Sequence, residues 1–171
     1  VCVSGTGYPS FLDAIMRNTD NPDDGKVTEK YPYGGGAYFD VMGFHSYPHF
    51  DGATREWSRD LGGFLWYRHS DAAAAGISRT QSIYQNILAN YGYDGTTYPE
   101  KEWIITECNV PRKSFSDFLG GNDAQRNFIM KAYMECVRND IHQLHIYSLS
   151  EQKAEAEAAF EFDLMGLYLS L

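Results

Sequence analysis

Glu107 ends a short apolar run, Trp103-Ile104-Ile105-Thr106-Glu107, just before a polar loop. A carboxylate at the end of a buried strand has the chemistry of a nucleophile or of a general acid or base. Which role it takes depends on its neighbours. Hydrogen-bond donors keep a carboxylate ionised, and the ionised form is the one that attacks. Two other segments end in such donors. Asp40–Tyr47 carries His45 and Tyr47 at its end, and Ile141–Tyr147 carries His145 and Tyr147. Taken singly, each has a structural reading: a loop hydrogen bond for Glu107, a satisfied core imidazole for His45, packing for Tyr147. Three polar strand ends on one rim are better explained by a shared site. Asn109 joins this set as a substrate-binding candidate, and so do the aromatic loop residues Trp57 and Trp66. The aromatic segment Tyr31–Tyr38 is expected to line the same groove. Cys108 follows Glu107 as a small buried residue rather than a nucleophile.

The elements that must position these groups are legible in the hydrophobic pattern. Strands are expected at Val1–Ser4, Asp40–Tyr47, Glu102–Glu107 and Ile141–Tyr147. A helix is expected over Ser10–Arg17, with Phe11, Leu12, Ile15 and Met16 on one face. A second runs from Asp71 to Tyr91 along a stripe of Ala73, Ile77, Thr80, Tyr84, Ile87, Leu88 and Tyr91; Ser70 or Asp71 caps its start and Gly92 its end. A third starts at Asn122 with Gln125 as a capping-box partner and turns Phe128, Ile129, Ala132, Tyr133, Cys136 and Val137 inward. The 18–36 segment reads as a long polar loop with Asn-Pro-Asp-Asp-Gly and Gly-Gly-Gly, and Trp57 and Trp66 fall in a second loop. Strand and helix alternate four times, with the last helix missing or altered. That order means α/β architecture with parallel strands under helices. Strict alternation along strands places His45 and Tyr47 with Val41 and Gly43, Glu107 with Trp103 and Ile105, and His145 and Tyr147 with Ile141 and Gln143.

Composition narrows the function classes. The chain has 171 residues, 13 of them Tyr, and a net charge of −9. Such a balance disfavours nucleic acid and anionic membranes as partners and suits neutral polar ligands. No apolar run approaches the ~18 residues of a membrane span. Three widely spaced cysteines form neither a disulfide framework nor a zinc motif. Gly5-Thr6-Gly7 lacks the third glycine of a dinucleotide turn, and there is no phosphate-binding loop. The chain opens inside a strand and stops in an apolar run, which reads as part of a larger fold; localisation is not readable from it.

Phe44-His45-Ser46-Tyr47-Pro48, Ile105-Thr106-Glu107, His145-Ile146-Tyr147 and Met165-Gly166-Leu167-Tyr168 together resemble the second half of a clan A retaining glycoside hydrolase, with the β-xylosidase/α-iduronidase-like group as the nearest likeness. The resemblance spans nearly the whole chain. It implies a parallel (β/α) barrel of which this chain supplies strands five to eight, a half-barrel forming the C-terminal half of the catalytic domain. It also implies that Glu107 is the nucleophile, that His45 and Tyr47 lie beside it and the sugar at the cleavage point, and that no cofactor is needed. The eighth strand of that clan usually ends in a tryptophan platform, and here the matching place holds Tyr147. The general acid/base of the clan is a glutamate following an asparagine on the fourth strand. No Asn-Glu pair occurs here, so only one of the two carboxylates is nameable. Asp51 and Glu151 are the loop carboxylates able to approach. The expected partners are an oligo- or polysaccharide substrate, and either the missing N-terminal half-barrel or a second copy of the chain to cover Val41, Trp103, Ile105 and Ile141. Two other functions stay open: a carbohydrate-binding barrel without turnover, and a metal-dependent isomerase or phosphoesterase using His45, His49, Glu107 and His145.

Overall fold

Hydrophobic alternation and helical stripes along the chain resolve into four parallel strands backed by three helices. The computed structural model describes residues 1–6, 8–47, 55–66, 69–115 and 120–168. The order is β1 (Cys2–Thr6), α1 (Pro9–Arg17), β2 (Val41–Ser46), β3 (Arg55–Ser58), β4 (Gly63–Trp66), α2 (His69–Asn90), β5 (Glu102–Cys108), α3 (Asn122–Arg138) and β6 (Ile141–Ile146). The main sheet runs β1-β2-β5-β6, every pair parallel. Each strand therefore lies beside the next sheet strand in the chain, joined through a helix. No helix among the described residues is long and apolar enough to cross a membrane.

One hydrophobic core lies between the sheet and the helices. Leu12 and Met16 of α1, Ala73, Ile77, Tyr84 and Leu88 of α2, and Phe128, Ala132 and Cys136 of α3 meet Met42, Phe44, Trp103, Ile105 and Ile141 of the strands. Phe44 sits at its centre, fully buried, with Trp103 edge-on at 6.0 Å and Tyr84 at 5.8 Å. Burying each such side chain contributes about 1.5–3 kcal/mol. α1 begins with Pro9, which needs no amide hydrogen in the first turn. α2 ends at Asn90, and the expected stop Gly92 follows two residues on with a φ of 87° that suits glycine.

Several expectations need correction. Trp103, Ile105 and Ile141 do not meet water on an open face; they are buried under the helices. Trp57 and Trp66 belong not to a loop but to an antiparallel hairpin, β3–β4, in which Trp57 opposes Phe64 and Arg55 opposes Trp66. Phe11, Tyr133 and Val137 are more than half exposed rather than inward. Gln125 makes no capping box: its side-chain amide donates to Val110 O at 3.1 Å, tying α3 to the end of β5. Ser70 and Asp71 both receive Lys131 Nζ, so the start of α2 is fastened to α3.

The decisive local feature is an irregularity in β5. Phe44 pairs with Ile105, but the next residue of β2, His45, pairs with Glu107. Thr106 is the extra residue of a β-bulge. Ile105 points into the core, as does Cys108, while Thr106 lies near Gly43 on the other face: a Cβ at Gly43 would come within 3.0 Å of Thr106 Cγ2. Plain alternation would have carried Glu107 under the helices with Trp103 and Ile105. The bulge instead turns it toward His45 and Tyr47.

Candidate active site

The C-terminal ends of β2, β5 and β6 form one rim. Tyr47 Oη donates to Glu107 Oε2 at 2.6 Å, and His45 Nδ1 lies 3.5 Å from the same oxygen. The first distance is that of a charge-assisted O–H···O⁻ bond; the second is a loose contact. Glu107 keeps 39% of its side chain exposed, so a ligand can reach the carboxylate. Burial and the bond to Glu107 together push the Tyr47 phenol far above its ordinary pKa. Tyr47 is thus a proton donor that stays protonated through the ordinary pH range. The ring is held by its surroundings: Phe162 edge-on at 4.9 Å, Tyr147 edge-on at 6.1 Å and His45 edge-on at 6.3 Å. Phe162 also meets Tyr147 at 6.0 Å. These three aromatic rings make a wall beside the carboxylate.

Phe162 was not singled out from the sequence. It lies in the segment after β6, between two isolated acidic residues, and nothing in its local pattern marks it. The chain brings it to the rim through a 3-10 turn, Glu161–Leu164. Asp163 anchors that turn. Burial opposes its ionisation, yet hydrogen bonds from Ala159 N, Lys153 and Phe160 N hold its carboxyl below the usual range.

The other expected site residues are placed as follows. Asn109 is fully buried and does not face the rim. Its Nδ2 donates to Tyr147 O at 2.7 Å and Met165 O at 2.6 Å, and its Oδ1 accepts from Val110 N. It ties β5 to the segment that carries Tyr147 and Phe162. His145 is exposed on β6, with Nε2 3.2 Å from Gln143 Oε1. Tyr147 follows β6 directly and its hydroxyl accepts from Gln152 Nε2. Trp57 is 54% exposed and meets Phe64 edge-on at 5.1 Å. The side chain of Trp66, along with Pro48, His49 and Asp51, lies outside the described residues. The Tyr31–Tyr38 segment is not on this rim. It precedes β2 and sits at the opposite end of the sheet, where Lys101 donates to Gly36 O and Phe39 O.

Glu151 is not poised as an acid. It is buried, and both its oxygens receive the Arg112 guanidinium, with Nη2 at 2.8 Å from Oε2. Glu155 takes a further Arg112 nitrogen at 2.6 Å. The network fastens the loop after β5 to the loop after β6. Among the described residues, no group of three or more His, Cys, Asp or Glu is arranged to hold a metal ion. Burial pushes the Cys108 thiol well up, and that of Cys136 to about 11, so neither is a ready nucleophile.

Comparison with known proteins found no matching family model, no matching curated protein and no matching solved structure. The functional reading therefore stands on the residues and their geometry.

Proposed function

We propose that this chain is the C-terminal half of a retaining glycoside hydrolase barrel, with Glu107 as nucleophile. The observation that carries the reading is the Tyr47–Glu107 hydrogen bond at a bulged strand end, with His45 behind it and the Tyr147–Phe162 wall beside it. A half-exposed carboxylate fitted with a permanently protonated donor is suited to attack an electrophilic carbon and to leave again. Aromatic walls suit the C–H faces of a sugar ring. Sequential parallel strands with the active carboxylate at their C-terminal ends are also the arrangement of half a (β/α) barrel. His45 and Tyr47 orient the nucleophile, and Tyr147 with Phe162 contacts the sugar. Trp57 of the hairpin reaches further units of an oligo- or polysaccharide.

Retention needs a second carboxylate about 5–5.5 Å away, protonated when the first is ionised. Glu151 is committed to Arg112 and Asp51 lies outside the described residues; on this reading the complementary half of the barrel supplies the acid. Support for a complementary half comes from the sheet's two ends. β1 and β6 pair on one side only among the described residues, and α3 beside β6 exposes Met130, Tyr133, Met134 and Val137. Those four fall on one helical stripe, the kind that a neighbouring helix covers.

The test is covalent trapping with 2-deoxy-2-fluoroglycosyl fluorides, in the chain extended upstream of Val1. Fluoride needs little protonation to leave. The C1–F bond breaks, a bond from Glu107 to C1 forms, and the fluorosugar slows the hydrolysis that would release it. Intact-mass and peptide analysis should show one sugar added at Glu107, and none in Glu107→Gln. Labelling at another residue, or none across pentose and hexose reagents, would overturn the assignment.

A further inference from the structure

We propose that the cleft beneath the 18–38 loop, at the sheet end remote from Glu107, is a second saccharide site that binds a neutral sugar chain without cleaving it. The proposal rests on the saccharide reading of the rim for its ligand class, while its geometry is independent of that rim. The cleft encloses about 670 Å³, within the range of ordinary small-molecule sites. Tyr33, Tyr91, Tyr93 and Tyr98 line it, together with Met16 and Val27.

The loop that forms it is ordered by its own sequence. Thr19 bridges Gly34, and Asn21 Nδ2 donates to Asp24 Oδ1 at 2.8 Å and Lys26 O at 3.0 Å. Gly35 N donates to Asn18 O at 2.7 Å. Gly36 explains part of the triple glycine. A Cβ there would lie 2.3 Å from the Tyr93 ring and 2.6 Å from Met16 Cε. A side chain there would have to displace the Tyr93 ring and the Met16 methyl that line the cleft. Lys101 Nζ lies 4.1 Å from the Tyr93 ring centre, and Tyr98 packs against the same ring at 5.1 Å with a 34° tilt.

The chemistry of the lining selects the ligand. The hydroxyls of Tyr33, Tyr93 and Tyr98 make no hydrogen bond to protein among the described residues, whereas Tyr91 donates to Asp13. The two cations that line it are offset: Arg17 pairs with Asp13 at 2.8 Å and Lys26 with Asp24 at 3.5 Å. An anion gains little there. A neutral polyhydroxylated ring uses both features, its C–H faces on the aromatic rings and its hydroxyls on the phenols. No carboxylate faces the cleft from the residues that line it, so cleavage by the paired-carboxylate route has no means there.

The experiment is calorimetric titration with xylohexaose, cellohexaose and mannohexaose, each against Glu107→Gln and against Glu107→Gln carrying Tyr33→Ala and Tyr98→Ala. Both tyrosines are more than half exposed, so their removal spares the core. At least one sugar should bind the first variant, and at least about tenfold more weakly the second, as loss of aromatic anchors commonly costs. Equal affinity in the two variants, or no binding by any of the three sugars at millimolar concentration, would overturn the proposal. Self-association of the first variant that vanishes in the second would give the cleft to another copy of the chain and would also overturn it. Failure of the hydrolase reading shows elsewhere, as missing covalent labelling at Glu107, which the tyrosine substitutions leave untouched.

Discussion

Replacing Tyr47 by Phe removes one oxygen and leaves the aromatic wall in place. The ring keeps its edge-on neighbours Phe162 and Tyr147, so packing is preserved and folding should weaken by no more than the lost hydrogen bond itself. What is lost is the 2.6 Å bond to Glu107 Oε2, leaving that oxygen His45 at 3.5 Å among the described residues. Hydrogen bonds to charged groups contribute about 1.5–3 kcal/mol. Glu107 is 39% exposed, and water partly replaces the missing donor, which reduces this to about 1–2 kcal/mol. The loss falls unevenly along a double-displacement reaction. The donor holds a carboxylate more tightly than the glycosyl ester, so it helps most when Glu107 departs from the sugar. Deglycosylation should therefore slow by about 5- to 30-fold, at about 1.4 kcal/mol per tenfold. Stopped-flow release of an aryl leaving group should show an enlarged burst followed by a slower steady state. A kcat within about twofold of the parent, with an unchanged melting curve, would refute the use of this bond in turnover.

Asn109→Ala leaves Tyr147 O and Met165 O without their buried donor and should cost about 2–4 kcal/mol, read as a lowered denaturation midpoint; a shift equivalent to less than about 0.5 kcal/mol would count against the clamp. Arg112→Met strands Glu151 as a buried charge and should destabilise by about 3 kcal/mol, with the double variant Arg112→Met, Glu151→Met recovering most of it; a double variant no better than the single one would contradict that account. Tyr47 also predicts a pH dependence. Burial and Glu107 raise its folded pKa, so the unfolded chain loses this proton first, near the ordinary tyrosine value of about 10. Stability is fully present below that pH and falls as pH rises beyond it. Urea melts between pH 9 and about 11 should show a shallower decline in Tyr47→Phe than in the parent, and identical slopes would sink the point.

The apolar run before Glu107, the helical stripe of α2 and the glycine at position 92 were enough to determine alternating parallel architecture, because they are local patterns with one periodicity each. That Glu107, His45 and Tyr47 come together at one rim was legible for the same reason: each ends an apolar strand. The face on which Glu107 lies was not legible. Period-two counting assumes an unbroken ladder, and the bulge at Thr106 exists only because β2 and β5 pair in a particular register. That register reverses the parity of every later residue: Cys108 joins Trp103 and Ile105 in the core while Glu107 meets Tyr47. Asn109 and Phe162 show the same limit at longer range. A polar residue after a strand looks like a ligand contact until the carbonyls of Tyr147 and Met165, 38 and 56 residues away, arrive to consume its amide. The aromatic segment at Tyr31–Tyr38 carried the right composition for sugar binding, but composition holds no direction. Only the placement of that loop before β2, at the N-terminal end of parallel strands, sets it apart from the carboxylate it was expected to serve.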